Sequence, residues 1–165
     1  MTSKAFDPLE ALRVLQANEV RFVIIGGFAG RVRGSSTVTN DLDLCYARDE
    51  ENLDRLVAGL RELNAELRGA PAGLPFRLGA ETLEAGSRFT FVTRAGNLDI
   101  LGAPSGTNGF DELDRNAESI DLDGLTVRVA SLNDLIRMKV AAGHPKDLIE
   151  AGILGALRDE LDSSG

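Results

Sequence analysis

The chain of 165 residues has one cysteine, one histidine and few aromatics, and no apolar run approaches the roughly 20 residues that span a bilayer. A single cysteine makes no internal disulfide. The opening MTSKAFDPLEALRVLQ lacks the basic and then apolar layout of a secretory leader. Both point to a reducing cytoplasm and no membrane association. His144 has no second histidine or nearby cysteine to share a metal, so it reads as a residue of a helix linker. Cys45 reads as a small buried apolar residue. With Phe89 and Phe91 alternating as core residues should, few rings are left for stacking on single-stranded bases. A formal net charge of -8 excludes broad electrostatic coating of nucleic acid, which depends on lysine and arginine displacing counterions. Arg31, Arg33, Arg48, Arg137, Lys139 and Lys146 are read either as a local basic rim or as scattered solvated surface.

What is present suits one globular domain over 1–165, without repeat, low-complexity tract or linker. Asp7 as N-cap and Pro8 at the first helical position open a helix through DPLEALRVLQANE. VRFVIIGG is a buried strand stopped by Gly26 and Gly27, and a short helix is expected from Phe28 to Arg33 before the polar loop GSSTVTN. DLDLCYA is the next strand. Residues 49–67 carry acids in the first turn and leucines at helical spacing, predicting a helix over the whole stretch, and 68–79 reads as loop. RFTFVT and NLDILG form strands joined by RAG, and ESIDL and LTVRVA pair around Asp123-Gly124. Ser131 caps a helix that Gly143 ends, Pro145 begins the last one, and DSSG should fray. The order predicts α+β or α/β architecture, a mixed β-sheet flanked by helices.

In TNDLDLCY, Asp41 and Asp43 interrupt an apolar strand at alternate positions. They therefore share one face, with Cα atoms about 6.6 Å apart at roughly 3.3 Å per residue, while Leu42 and Leu44 face the other way. Two like charges side by side are stable mainly if solvated or bridged by cations, and the spacing suits a pair of hard, oxygen-seeking ions. Asp99, isolated in GNLDIL, completes a three-carboxylate cluster if its strand neighbours that of Asp41. The alternative is that Asp41 and Asp43 line the wet face of an edge strand and Asp99 ends a hairpin.

Upstream, Gly26 and Gly27 leave backbone N–H groups open to an anion, and Ser35, Ser36, Thr37 and Thr39 add hydroxyls. A dinucleotide-binding turn is excluded: counting G-x-G-x-x-G from Gly26 puts Phe28 and Arg31 where glycines are required. A calcium loop fails because Cys45 and Tyr46 replace an oxygen ligand and a glycine, and Asn52 replaces the final glutamate.

IGGFAG, a gap to DLDL, and a later isolated LDI together resemble the DNA polymerase beta-like nucleotidyltransferase superfamily. Within it the likeness is to small bacterial nucleotidyltransferases of the toxin-antitoxin and abortive-infection kind, whose lysine-bearing helix and KD element are matched by SLNDLIRMKVAAGHPKDLIEA. The resemblance covers about residues 20–151. It implies a nucleotidyltransferase fold in which Gly26 and Gly27, with Ser36 and Thr39 nearby, hold the triphosphate. It further implies that Asp41 and Asp43 bind two magnesium ions, with manganese as an alternative, and that Asp99 completes the metal site and helps activate the acceptor hydroxyl. Lys139 would reach the phosphates, with Lys146 and Asp147 in support. Two positions depart from the pattern: Thr37 stands where relatives carry arginine, and His144 stands at another arginine position.

The expected reaction is metal-dependent transfer of a nucleoside monophosphate from a nucleoside triphosphate to an acceptor hydroxyl, on a tRNA or other RNA end, a protein or a small molecule. A cognate antitoxin would be a partner. The competing expectation is a catalytically silent nucleotide-binding or interaction module on the same scaffold. Without the resemblance, Lys139 reads as a lysine at the rim of the core with its ammonium in solvent.

Overall fold

The computed structural model describes residues 5–69 and 77–164. These form seven helices and a seven-stranded mixed sheet, α1 (Pro8–Ala17), β1 (Phe22–Ile25), α2 (Gly26–Val32), β2 (Asp41–Tyr46), α3 (Glu50–Glu62), β3 (Glu66–Leu67), α4 (Ala80–Ala85), β4 (Arg88–Thr93), β5 (Gly96–Leu101), α5 (Phe110–Asn116), β6 (Glu118–Leu122), β7 (Leu125–Val129), α6 (Leu132–Ala142) and α7 (Pro145–Ser164). The strand order is β3-β4-β5-β2-β1-β7-β6. The β2/β5 and β1/β7 pairs are parallel and the rest antiparallel. This is the mixed, helix-flanked α+β sheet that the order of elements predicts. Among the described residues, no helix is long and apolar enough to cross a membrane.

Local chemistry accounts for several element ends. The Asp7, Asp49 and Ser131 side chains accept from Glu10, Asn52 and Asp134 backbone N–H groups, capping α1, α3 and α6. Gly143 ends α6 in the left-handed conformation at φ +74°. Asp123 and Gly124 both sit at positive φ, which sets the tight turn between β6 and β7.

Several boundaries differ from the sequence reading. The helix expected over 49–67 stops at Glu62, because Asn64 turns left-handed at φ +56° and the chain re-enters the sheet as β3. Leu67 continues the leucine spacing by coincidence and pairs with Phe91. The short helix after β1 starts at Gly26 rather than Phe28, so the glycine pair is its first turn. The loop expected over 68–79 lies partly outside the described residues, and α4 follows it. The short helices α4 and α5 carry too few residues to show a helical period. The last helix continues through Ser164 instead of fraying at DSSG, with the Ser163 and Ser164 hydroxyls donating to carbonyls one turn back.

The two sides of the sheet are unlike. Leu42, Leu44, Tyr46, Leu98, Ile100 and Phe91 are buried on one side, beneath α3 and the two helices packed on it, α1 and α4. There Leu15 reaches Gly59 across the α1–α3 crossing, and the Tyr46 hydroxyl donates to the Leu83 carbonyl at 3.5 Å. Phe89 stacks on Phe91 with centroids 6.2 Å apart. On the opposite side α2, α5 and α6 cover the β1 half, leaving the start of β2, with β5 and β4, as an open floor. Asn52, fully buried, ties the far ends of β1 and β2 together: its Oδ1 accepts from Arg21 N, and its amide donates to the Arg21 and Ala47 carbonyls.

Candidate active site

Strand β2 is central in the sheet, so Asp41 and Asp43 are not on an edge strand. Asp99 lies inside β5 and does not end a hairpin. In the parallel β2/β5 register Asp43 is directly opposite Asp99, and Asp41 opposite Asn97. Residues opposed in this way project to the same side, so the two-residue period of each strand puts all four polar side chains on the open floor. The adjacency that the sequence could only pose as a condition is thus met by strand pairing.

Above this floor is a cavity of about 190 Å³ between the sheet and α6. Asp43, Asp99 and Arg88 form its base, Gly26 one side, and Leu135, Met138 and Lys139 of α6 the opposite wall, with Asp147 of α7 at the rim. Gly26 has φ +73°, and a Cβ on it would collide with the Asp43 carboxylate, so glycine is required both by the backbone and by the close approach. Gly27 lies against Thr39: a Cβ there would come within 3.1 Å of the threonine Cβ. The Thr39 hydroxyl in turn bonds the Asp41 backbone, accepting from its N–H at 3.3 Å and fixing where β2 begins.

The carboxylates differ in environment. Burial pushes the Asp43 carboxyl up to about 7, helped by the neighbouring Asp99 and Asp41 charges and partly offset by Lys139. Asp99 is also raised, chiefly by burial, with Arg68 pulling against the shift. Asp41 is more exposed: its Oδ1 accepts from Asn97 Nδ2 at 3.1 Å and lies 3.7 Å from Arg68 Nη1. The other arm of the Arg68 fork bonds Asp99 Oδ1.

Hard oxygen donors on one face have the right chemistry for a divalent cation. In the arrangement found, however, no three metal-ligating side chains among the described residues gather closely enough to hold an ion. Asp43 and Asp99 face each other as a pair, while Asp41 is drawn to Asn97 and Arg68. The donor types suit a cation, but their present arrangement does not, with the Arg68 guanidinium bound to Asp99 and close to Asp41.

Of the residues singled out in the sequence, Asp43, Asp99, Gly26 and Lys139 line one cavity, and Asp41 adjoins it. Lys139 does not aim a free ammonium into the cavity, since it pairs with Glu150 at 2.5 Å and Asp147 at 3.6 Å across the α6–α7 hairpin. Ser36 is exposed on the loop before β2, and Lys146 is exposed at the start of α7; neither lines the cavity. Of the six residues considered for a basic rim, three more are held by local partners. Arg33 is tied to the Ala130 and Val129 carbonyls and to Glu118, Arg48 to the Glu84 and Gly86 carbonyls, and Arg137 to Glu112 and Asp134.

Arg68, Arg88, Asn97 and Glu150 were not singled out in the sequence. Asn97 was within reach of the argument, being two residues before Asp99 on one strand. Arg68 was not, because only the pairing of the two-residue β3 with β4 brings it to Asp99.

No family model matches the sequence, and no curated protein is significantly similar to it. Solved structures do match in fold. A lincosamide antibiotic adenylyltransferase, LnuA, solved with lincomycin bound, superposes with a TM-score of 0.59 at 14% identity, covering 91% of this chain and 95% of that one. The antibiotic-resistance factor ANT(2'')-Ia matches with a TM-score of 0.54 at 16% identity over 95% of this chain and 92% of its own; it has also been solved in complex with adenylyl-2''-tobramycin. A Thermotoga maritima protein assigned as a nucleotidyltransferase matches at 0.52 and 15% identity, over 96% and 97%. Sharing architecture with these structures over nearly its whole length, the chain has the nucleotidyltransferase fold.

Proposed function

We propose that the protein is a metal-dependent nucleotidyltransferase that moves a nucleoside monophosphate from a nucleoside triphosphate to an acceptor hydroxyl and releases pyrophosphate. One observation carries the reading: Asp43 and Asp99 oppose each other on adjacent parallel strands at the base of a cavity whose side is a glycine that admits no Cβ. Magnesium or manganese, held by Asp41, Asp43 and Asp99, would neutralise triphosphate charge and lower the pKa of the attacking hydroxyl. The chain itself contributes position and charge. The Gly26 and Gly27 backbone N–H groups present donors to phosphate oxygens, and Asp99 accepts the acceptor's proton. Lys139 offers the phosphates an ammonium now shared between Glu150 and Asp147.

The acceptor we favour is a small hydroxylated molecule, since LnuA was solved with lincomycin and ANT(2'')-Ia with an adenylylated tobramycin. A tRNA or other RNA end or a protein acceptor, with a cognate antitoxin as partner, is the reading that the sequence resemblance supports. Incubating the protein with magnesium and each labelled nucleoside triphosphate, with small-molecule extract, total RNA or cell protein, distinguishes them by which fraction takes the label. Label in no fraction would overturn the assignment.

A catalytically silent nucleotide-binding module is the second reading, favoured by the guanidinium lodged between the carboxylates and by the engaged state of Lys139. Calorimetry with a nonhydrolysable nucleotide and magnesium, beside the transfer assay, separates the two. Binding without transfer supports the silent module.

A further inference from the structure

Three carboxylates on one sheet face repel one another unless cations intervene. Arg68 supplies such a cation across the strands: its fork bonds Asp99 with one arm and lies 3.7 Å from Asp41 with the other. The backbone holds it there, because the Arg68 N–H donates to the Thr90 carbonyl at 2.9 Å, extending the β3/β4 ladder by one residue. Next in the chain, Gly69 is left-handed at φ +76°, and a Cβ on it would meet no described residue within 4 Å. The Arg68 side chain is 29% exposed, so solvent offers it room to move off. Among the described residues Asp43 has no such ion pair; it faces Asp99 directly, with the Lys139 charge partly compensating.

A guanidinium is a permanent cation with a planar fork matched to carboxylates. A divalent ion seeks the same oxygens. Arg68 meets the Oδ1 atom of each carboxylate, so an ion that takes those atoms displaces the guanidinium, and one bound through the remaining oxygens works against its charge. We propose that Arg68 is the resident counter-ion of the metal-free site, that it competes with the divalent metal for Asp41 and Asp99, and that it thereby sets the metal affinity. Arg68 is on this account a positioning residue: it keeps the carboxylates on one face before metal arrives and yields when it does. The proposal rests on the metal-dependent reading above and goes beyond it by making a cation of the chain itself part of the metal equilibrium.

The test is direct binding of Mn2+ to the full chain, followed by loss of the free-ion electron paramagnetic resonance signal, with no nucleotide present. Arg68→Gln keeps hydrogen-bonding capacity without the charge. Removing an opposite charge beside a carboxylate is worth about one pKa-sized step, so Mn2+ should bind about tenfold more tightly than to wild type, while the metal-free variant melts at a lower temperature. Arg68→Lys, which keeps the charge but loses the fork, should tighten binding by a smaller factor, and it carries the test alone if Arg68→Gln does not fold. Equal or weaker Mn2+ binding by the folded variants, with measurable wild-type binding, overturns the competition and leaves the nucleotidyltransferase reading standing. Wild-type Mn2+ binding that survives Asp43→Asn unchanged overturns the metal assignment itself. Absence of Mn2+ binding in wild type and variants alike overturns both.

Discussion

Strand β2 has two faces with opposite fates. Leu42 and Leu44 are sealed beneath the α1, α3 and α4 layer, and Asp41 and Asp43, their immediate neighbours in the chain, lie on a floor that α2, α5 and α6 cover only in part. The apolar face contributes stability through area removed from water. The acidic face works against stability, since it crowds like charges and half-buries them. One side of a strand thus holds the fold while the other gives up part of that stability to a cluster of carboxylates.

The largest expected effect falls on the acidic face. Under the proposed function, Asp43→Asn, which is nearly isosteric, should lower magnesium-dependent nucleotidyl transfer by about a thousandfold or more while the protein stays folded, because the charge proposed to hold the metal is lost. Steady-state transfer assays beside circular dichroism check this, and undiminished turnover would break the division between the faces. On the sealed face the prediction is reversed. Leu44→Ala should cost about 2–5 kcal/mol in urea unfolding, the range for a leucine deleted from a packed core.

Asn52→Ala tests whether the far end of the same strand pair is held by hydrogen bonds rather than by burial alone. It leaves the Arg21 N–H and the Arg21 and Ala47 carbonyls short of a partner, and a loss of about 1–3 kcal/mol is expected.

A smaller effect concerns pH. With the Asp43 carboxyl raised to about 7 in the fold against an ordinary value near 3.8, the native state binds more protons than the unfolded state between those two values. Stability of the metal-free protein should therefore fall as pH rises through that window, by about 1–3 kcal/mol after allowance for solvent screening. Asp43→Asn should flatten that part of the profile. Denaturant melts at pH 4.5 and pH 8 with a metal chelator measure it, and a profile that rises across the window for this group would refute the burial argument.

Much of the fold is legible in the chain because local rules govern it. Asp7-Pro8, Asp49, Ser131 and Gly143 mark helix ends by capping chemistry, and Asp123-Gly124 marks a hairpin by its backbone conformation. The two-residue period put Asp41 and Asp43 on one face without any knowledge of neighbours. Leu67 shows the limit: it satisfies the spacing of α3, yet the left-handed turn at Asn64 assigns it to β3. Short elements such as α4 and α5 have no period long enough to read.

By itself the sequence determined which residues carry charge into an apolar strand and on which side of that strand they stand, because both follow from covalent order and the alternation of the pleat. Only the tertiary structure decided that β2 and β5 lie side by side in a register opposing Asp43 to Asp99, that Lys139 is held by Glu150, and that Arg68 comes to the carboxylates from 31 residues before Asp99. Those decisions depend on pairing between segments distant in the chain, and the free energy that selects such pairings is summed over the whole sheet and its core rather than written in any one stretch.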